Sequence, residues 1–235
     1  MSGWANLIPQ TGLTNAWPWD TANTTSSTAT DPIGSQNATL TSCTLNGSGP
    51  NALLNNAGVF NGTSSHGDTA ANIALSAFSL TTWFNLNAGI ANGAREMADD
   101  HTDSDNKGFQ ILYTGGNITF HLGNGTTFTN LGQALATGAW HMVTYTYDGT
   151  TLLQYMDGVV SGTTGPLAGP VGTPTNNISF GFNPAYSGDF AAMMIAGTAL
   201  YNRVLTGAEV TTIFNLVNAP AAPAAGILGL ASSEW

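Results

Sequence analysis

The stretch AWHMVTYTYDGTTLLQYMDGVV (139–160) contains the pattern that decides the fold. Its side chains from His141 to Tyr147 alternate with a period of two residues, which is typical of a β-strand. The step Asp148-Gly149 favours a tight turn that tolerates positive φ, and a second strand follows as far as Asp157-Gly158. The stretch therefore predicts a β-hairpin.

The same alternation recurs in other parts of the chain, between turn signals rich in glycine and asparagine. The stretches are FSLTTWFNL (78–86), GFQILYT (108–114), NITFHL (117–122) and NISFGFN (177–183). In the last of these, the pattern places Ile178, Phe180 and Phe182 on one face. Many short strands with Gly-rich turns indicate an antiparallel sandwich or barrel.

One helix is predicted near the end of the chain. Thr206 and Glu209 have the spacing of a capping box, in which each residue satisfies a free backbone N–H group of the first turn. Apolar residues at helical spacing follow, namely Val210, Ile213, Phe214 and Val217. We expect a short helix packed against the sandwich.

The composition changes after Asn218. The segment APAAPAAGILGLASSEW (219–235) has no periodicity, and Pro220 and Pro223 prevent a helix from continuing. We interpret it as a Pro/Ala-rich C-terminal tail that docks on a neighbouring subunit or a larger assembly. Its docking side chains would be Ile227, Leu228, Leu230 and Trp235.

The chain has very few charges. Charged residues make up 7% of its 235 residues, against about 25% in ordinary soluble domains. Its basic side chains are Arg95, Lys107 and Arg203, and its formal net charge is −10. Such a surface repels phosphates, so nucleic acid and anionic membranes are disfavoured as partners. A surface of Thr, Asn, Ser and Gly suits an extracellular or particle-borne protein.

Two further features bound the class of protein. A single cysteine, Cys43, excludes an internal disulfide and a Cys-based zinc site. The first ten residues lack the pattern of a secretory signal peptide, and no apolar run approaches the ~20 residues that span a bilayer. We therefore expect neither a signal peptide nor membrane insertion. The neutral polar surface favours a location outside the cell or on a virion surface.

Taken together, the order and spacing of the motifs resemble concanavalin A-like jelly-roll domains of the laminin-G-like type. The motifs are GLTNAWPWD (12–20), DPIGSQNATL (31–40), GVFNG (58–62), FSLTTWF (78–84), GAWHMVTYTYDG (138–149), LLQYMDGVV (152–160) and LYNRVLTGAEV (200–210). The resemblance implies an all-β fold, an antiparallel jelly-roll β-sandwich with one short C-terminal helix. It predicts a domain at 12–218, preceded by an N-terminal arm at 1–11. This fold hosts glycan-binding modules, adhesins, enzymes and virion proteins, so it does not fix the function.

An enzymatic role is not expected. Glycosidases of this fold need two carboxylates flanking one bond. Glu209 is accounted for by the helix cap and Glu234 lies in the tail, which leaves Glu96 and Asp100 as a poor dyad in a turn-rich stretch. The sequence contains no G-x-S-x-G motif, which would have indicated a nucleophilic serine. We interpret His141 as a structural histidine of its strand.

Two features are candidates for glycan binding. Trp83 lies on the face opposite Phe78 and Phe84 and would stack on a sugar ring if that face were the concave one. The acidic loop 98–108 carries Asp100, Asp103 and Asp105, which would bind a glycan or calcium. The alternative for this loop is a solvated surface segment.

The resemblance also implies a structural calcium in some relatives. Their Asp-x-x-Gly-x-x-Asn-like loop corresponds here to Asp31, Gly34 and Asn37. A second acidic residue often precedes the YNR motif, where this chain has Ala196 and Gly197 and its nearest carboxylate is Asp189. A calcium site would therefore use Asp31, Asn37 and Asp189.

We expect a non-enzymatic structural or adhesion protein. The first interpretation is a surface-exposed virion component, such as a bacteriophage-like decoration, fibre or spike protein. It would contact other subunits of a homo-oligomer or virion lattice through its termini and would bind glycans. The alternative is a freestanding or secreted carbohydrate-binding module or lectin.

Overall fold

The computed structural model describes residues 3–20, 27–72, 75–98, 106–167, 169–186 and 188–218. The helices in this part are α1 (Gly3–Leu7) and α2 (Gly207–Asn218). The strands are β1 (Leu13–Trp17), β2 (Thr28–Ala29), β3 (Ala38–Thr41), β4 (Thr44–Ser48), β5 (Asn56–Asn61), β6 (His66–Asp68), β7 (Phe78–Leu86), β8 (Ala94–Ala98), β9 (Phe109–Thr114), β10 (Asn117–Gly123), β11 (Phe128–Ala134), β12 (Trp140–Tyr147), β13 (Leu152–Met156), β14 (Val159–Thr163), β15 (Ser179–Phe180) and β16 (Ala192–Tyr201).

The strands form two antiparallel sheets of eight strands each. Sheet A has the order β14-β13-β12-β7-β16-β5-β4, with β1 also paired to β16. Sheet B has the order β11-β10-β9-β8-β15-β6-β3-β2. The predicted hairpin is confirmed: β12 pairs with β13 across the turn at Asp148-Gly149, and β13 pairs with β14 across Asp157-Gly158.

The main hydrophobic core lies between the two sheets. The long strand β7 contributes Phe78, Leu80 and Phe84 from sheet A, and β10 contributes Ile118 and Phe120 from sheet B. These side chains are at most 1% exposed. The strands alternate as predicted because every second side chain points into this core. The predicted jelly-roll sandwich is confirmed.

A second hydrophobic cluster covers the outer face of sheet A. Helix α2 contributes Val210, Ile213 and Val217 to it, and α1 contributes Trp4. The capping box of α2 is confirmed, since the Thr206 N–H donates to Glu209 Oε2 at 2.8 Å and the Glu209 N–H donates to Thr206 Oγ1 at 3.3 Å.

The predicted N-terminal arm packs onto the domain. Trp4, Ala5 and Ile8 are at most 2% exposed, and they join the cluster that α2 and sheet A form. Trp4, Ala5 and Ile8 are therefore part of the covering of sheet A.

One detail of the strand pattern is wrong. Ile178 and Phe180 lie in the core as predicted, but Phe182 does not share their face. The strand β15 ends at Phe180 because Gly181 takes a positive φ of 81°, which turns the chain. Phe182 instead stacks on Phe190, with ring centroids 5.5 Å apart.

Candidate ligand-binding face

A row of eight residues, one on each strand, crosses the outer face of sheet B. In register order it consists of Asn130, His121, Gln110, Ala98, Ser179, Asp68, Thr39 and Thr28. Residues directly opposite each other in a sheet share a face. The row is polar except at Ala98, whereas apolar chain neighbours of its members, such as Met97, Phe109 and Ile111, belong to the main core. The outer face of sheet B is therefore polar where the inner face is apolar.

Gln110 is the centre of a hydrogen-bond network in this row. Its Oε1 accepts from Arg95 Nε at 2.8 Å and from Asn183 Nδ2 at 3.2 Å. Its Nε2 lies 3.2 Å from His121 Nδ1. Gln110 is 1% exposed, and its amide is therefore fixed by neighbours rather than by solvent.

Arg95 holds the network in place from the β8 side. Its guanidinium donates to the Gly93 carbonyl, lies over the Tyr186 ring at 5.2 Å, and approaches Asp189 Oδ2 at 3.6 Å. The Arg95 side chain is 11% exposed and the Asp189 side chain 42%. Most of this positive charge is thus engaged inside the protein, and Arg95 acts as a positioning residue.

Aromatic rings and a carboxylate lie beside the network on the β6 side. His66 lies 4.8 Å from Phe182, and the Phe182 and Phe190 rings are inclined by 12°. Asp68 Oδ2 is 3.4 Å from His66 Nε2, and Asp68 Oδ1 accepts from Ser179 Oγ at 2.8 Å. The Asp68 side chain is 47% exposed. This region therefore offers apolar ring surfaces and a hydrogen-bond acceptor to solvent.

A second aromatic contact stands at the β10–β11 side of the row. His121 stacks on Phe128 with centroids 5.7 Å apart, and Phe128 is 38% exposed. A sugar ring has C–H groups on its faces and hydroxyls at its edge. The aromatic rings match the C–H faces of a sugar. The neighbouring amides, imidazole and carboxylate match its hydroxyls. The arrangement suits binding of a hydroxyl-rich ligand.

The prediction that Trp83 stacks on a sugar is wrong. Trp83 does point away from the main core, but it is 1% exposed. Its ring lies parallel to that of Phe214 in α2, with centroids 5.7 Å apart and an angle of 8°. Helix α2 therefore occupies the position that a sugar would need.

The predicted calcium ligands do not form one site. The Asp31 carboxylate accepts five N–H groups, from Asn15 Nδ2 and from the backbone of residues 16, 33, 34 and 36, at 2.8–3.1 Å. Asn37 Oδ1 accepts from the Asp31 N–H at 2.9 Å. Since donors already surround both Asp31 oxygens, the residues do not fit a cation. Asp189 lies next to Arg95 instead.

Several predicted residues lie outside the described residues. These are Asp100, Asp103 and Asp105 of the acidic loop, and Ile227, Leu228, Leu230 and Trp235 of the tail. The flanking residues of the loop are described: Ala98 belongs to the polar row, and the Asn106 carbonyl accepts from the Gly125 N–H at 2.6 Å. The roles of the loop and the tail remain predictions.

Glu96 is unsuitable as a catalytic acid. It is fully buried, and within the described part of the chain no other residue donates a hydrogen bond to either of its carboxyl oxygens. Desolvation by burial raises its pKa well above the ordinary value. Burial also raises the pKa of Tyr145, a residue of the main core, and a negative charge on Glu96 raises it further. A substrate on the sheet surface could not reach this carboxyl.

His141 lies in strand β12 and pairs with Asp157. Its Nδ1 lies 2.8 Å from Asp157 Oδ2, and Asp157 Oδ1 accepts from the Met142 N–H at 2.9 Å. The pair joins strand β12 to the turn before β14. It belongs to sheet A and not to the polar row.

The chain belongs to the concanavalin A-like lectin/glucanases superfamily. The laminin-G-like family model of that description matches residues 60–211, which is more than half of the chain. The fold, the motif order and the family match agree. A search of curated proteins finds no match.

Three solved structures share the fold of this chain. Domain 4 of AbnA, an extracellular arabinanase of Geobacillus stearothermophilus solved with arabinotriose, has a TM-score of 0.70 and 17% identity, over 87% of this chain and 99% of that one. The binding domain of Paraclostridial Mosquitocidal Protein 1 has a TM-score of 0.68 and 15% identity, over 87% and 52%. The botulinum neurotoxin serotype D binding domain gives 0.65 and 14%, over 87% and 50%. The chain thus spans about half the length of these toxin domains.

No helix among the described residues has the length and apolar character needed to cross a membrane.

Proposed function

We propose that this protein is a non-catalytic module that binds neutral glycans on the outer face of sheet B. One observation carries the proposal: α1 and α2 cover the outer face of sheet A, whereas the outer face of sheet B presents the polar row and its aromatic neighbours. Among the described residues, the exposed part of that face lies on either side of the buried Gln110 network, at Thr28, Thr39 and Asp68 and at His121, Phe128 and Asn130.

The contacts at the row favour a sugar. Asp68 is held by Ser179 and His66 and still exposes 47% of its side chain, so it can accept hydrogen bonds from ligand hydroxyls. The partly exposed Phe182 and Phe128 rings supply flat apolar surface on either side of the buried Gln110 network. Fixed side chains lose little conformational entropy on binding, which favours affinity.

The charge of the chain favours a neutral ligand. The formal net charge is −10, and the Arg95 guanidinium already contacts Asp189, Gln110 and the Gly93 carbonyl. A polyanionic glycan would be repelled at long range and would find little free positive charge at the face.

The carboxylates of the face favour binding over hydrolysis. The contacts of Asp68 and Asp189 with other described residues include no second carboxylate. Glu96 is buried in the core, and Glu209 pairs with Arg203 at the helix cap. A glycosidase needs two carboxylates at one bond. The arabinotriose complex of the AbnA domain is consistent with sugar binding by this fold.

A wider role on a particle surface is proposed together with glycan binding. The module would be an extracellular or virion component, such as a decoration, fibre or spike protein, that contacts other protein subunits through its termini. Val159 and Val160 on the last strand of sheet A are 69% and 56% exposed, which favours a protein contact at this edge. The alternative is a freestanding lectin. Light scattering distinguishes these two roles. If the protein with its tail intact is a monomer in solution, the result favours the freestanding lectin.

A matched pair of variants tests the binding face. Asp68→Asn changes the His66–Asp68 pair on sheet B, and Asp157→Asn changes the similar His141–Asp157 pair on sheet A. On a glycan array followed by calorimetry, we expect Asp68→Asn to weaken binding about tenfold, equivalent to about 1.4 kcal/mol. Asp157→Asn should leave the affinity unchanged.

Phe128→Ala should also weaken binding, by removing the exposed ring beside His121. Absence of binding to every neutral glycan on the array would overturn the proposal, and so would equal affinities of the two aspartate variants. Release of reducing ends from a bound polysaccharide would overturn its non-catalytic part.

A further inference from the structure

A cavity of about 360 Å³ lies at one end of the sandwich, apart from the polar row. Its lining includes Thr14 and Asn15 of β1, Gly34 and Gln36 of the loop between β2 and β3, and Asn72 after β6. None of the eight row residues lines it. Its volume lies at the lower end of the range of about 300–1,000 Å³ for ligand pockets.

The wall of the cavity is held rigid by Asp31. This buried carboxylate accepts from Asn15 Nδ2 and from the Gly34 and Gln36 N–H groups, so one side chain fixes three lining residues. A Cβ atom at Gly34 would lie 2.3 Å from Asn15 Nδ2 and 2.4 Å from the Thr14 carbonyl oxygen. Only glycine allows this close approach of the loop to β1. The cavity is therefore formed before any ligand arrives.

Two amides at the cavity are available to a ligand. The side chains of Gln36 and Asn72 make no hydrogen bond to the rest of the described chain. Gln36 is half-buried and Asn72 is exposed. Each amide offers an acceptor oxygen and two N–H donors. Since the Asn15 Nδ2 group donates to Asp31 and Thr14 Oγ1 donates to the Leu200 carbonyl, these two residues contribute acceptor capacity.

The described residues that line the cavity include no ionisable side chain. An anionic sugar would find no cation there, and a metal ion would find no carboxylate, because Asp31 directs its oxygens to N–H donors. A ligand that both donates and accepts through uncharged hydroxyls matches the amides and the hydroxyl of the wall. We propose that this cavity binds one unit of a neutral glycan, as a second site separate from the outer face of sheet B.

The test follows backbone and side-chain amide signals by two-dimensional NMR during titration with arabinose, galactose, glucose and their methyl glycosides. At least one of these sugars should shift the signals of Gly34, Gln36 and Asn72. In a variant with Gln36→Leu and Asn72→Leu, which removes two amides that make no internal hydrogen bond, the affinity should fall at least about tenfold. Glucuronic acid should not bind.

Gln133→Leu is the matched control. Gln133 is also a half-buried glutamine, and it lies on β11 at the opposite edge of sheet B. It should leave the titration unchanged. The signals of Gly34, Gln36 and Asn72 report on the cavity and those of Gln110 and His121 on the polar row, so the two sites can fail independently. The proposal is overturned if none of the sugars shifts these three residues, or if the shifts persist in the double variant. Equal binding of glucuronic acid would overturn the neutral ligand class.

Discussion

Arg203 and Glu209 form a two-point ion pair at the start of α2. Arg203 Nη1 donates to Glu209 Oε2 at 2.9 Å and Nη2 donates to Oε1 at 2.6 Å, while Arg203 Nε donates to the Thr11 carbonyl at 2.7 Å. The pair thus joins the N-terminal segment, the end of β16 and the helix that covers sheet A.

We expect this pair to make stability depend on pH in the acid range. The hydrogen bonds from Arg203 lower the pKa of Glu209 from 4.5 to about 2. Because the folded-state pKa is the lower one, the stabilisation by Glu209 is complete above about pH 4.5 and is lost as the pH falls through about 2. Glu209→Gln should cost about 1–2 kcal/mol in urea unfolding at neutral pH. If the difference in unfolding free energy between Glu209→Gln and the original protein were the same at pH ~2 as at neutral pH, the ion pair would not be its source.

Glu96 should have the opposite effect on stability. Burial raises its pKa well above 4.5, so the folded protein holds a proton that the unfolded chain releases. Its contribution is fully present below about pH 4.5 and is lost as the pH rises toward the raised pKa, with a slope of up to about 1.4 kcal/mol per pH unit. Glu96→Gln should remove this slope and stabilise the protein at neutral pH. The measurement compares the unfolding free energies of the original protein and of Glu96→Gln at about pH 5 and about pH 8. If the pH dependence persisted in Glu96→Gln, another group would be its source.

Asp31→Asn should destabilise the protein strongly. An amide in place of the carboxylate turns an N–H₂ group toward some of the five donors and leaves them without an acceptor. We expect a loss of about 2–4 kcal/mol by thermal or urea unfolding. Asp148→Asn is the control, because among the described residues the exposed Asp148 accepts from two N–H groups, those of Thr150 and Thr151. This substitution should cost less than about 1 kcal/mol.

Calcium should not change the melting temperature. Both Asp31 oxygens are occupied by N–H donors, and Asp189 pairs with Arg95. Scanning calorimetry of the protein with EDTA and then with excess calcium should give the same curve. A higher melting temperature that Asp31→Asn abolishes would show instead that the loop rearranges to bind the ion.

Trp83 should matter for stability and not for binding. Trp83→Ala removes a buried ring that stacks on Phe214 and should cost about 3–5 kcal/mol. Trp83→Phe keeps an aromatic ring in the position and should remain folded. Its affinity for any glycan found on the array should equal that of the original protein. Reduced affinity with an unchanged melting temperature would return Trp83 to the binding surface.

The sequence predicts most of the fold because the sandwich is built by alternation. Strands such as β7 and β12 are long enough for the period of two to be visible, and the cap of α2 has a recognisable spacing. The pattern also separates the two sides of β7 correctly. It cannot show what covers each side, so alternation alone leaves Trp83 facing a ligand, although α2 lies over it.

The candidate site is only partly visible in the sequence. Gln110 and His121 stand out as polar residues between core residues of predicted strands. Asp68 and Ser179 do not, because β6 and β15 are three and two residues long and show no period. The register that brings these four residues into one row joins distant parts of the chain. It depends on strand order, which no local pattern determines.

The alternation of sheet B has a consequence for how its specificity can change. The exposed and half-exposed members of the row, which are Thr28, Thr39, Asp68, His121 and Asn130, point away from the core. Replacing them alters what the surface recognises and leaves the interior packing untouched. A small library randomised at these five positions should therefore yield folded proteins with new preferences, and selection could move this domain between targets in single mutational steps.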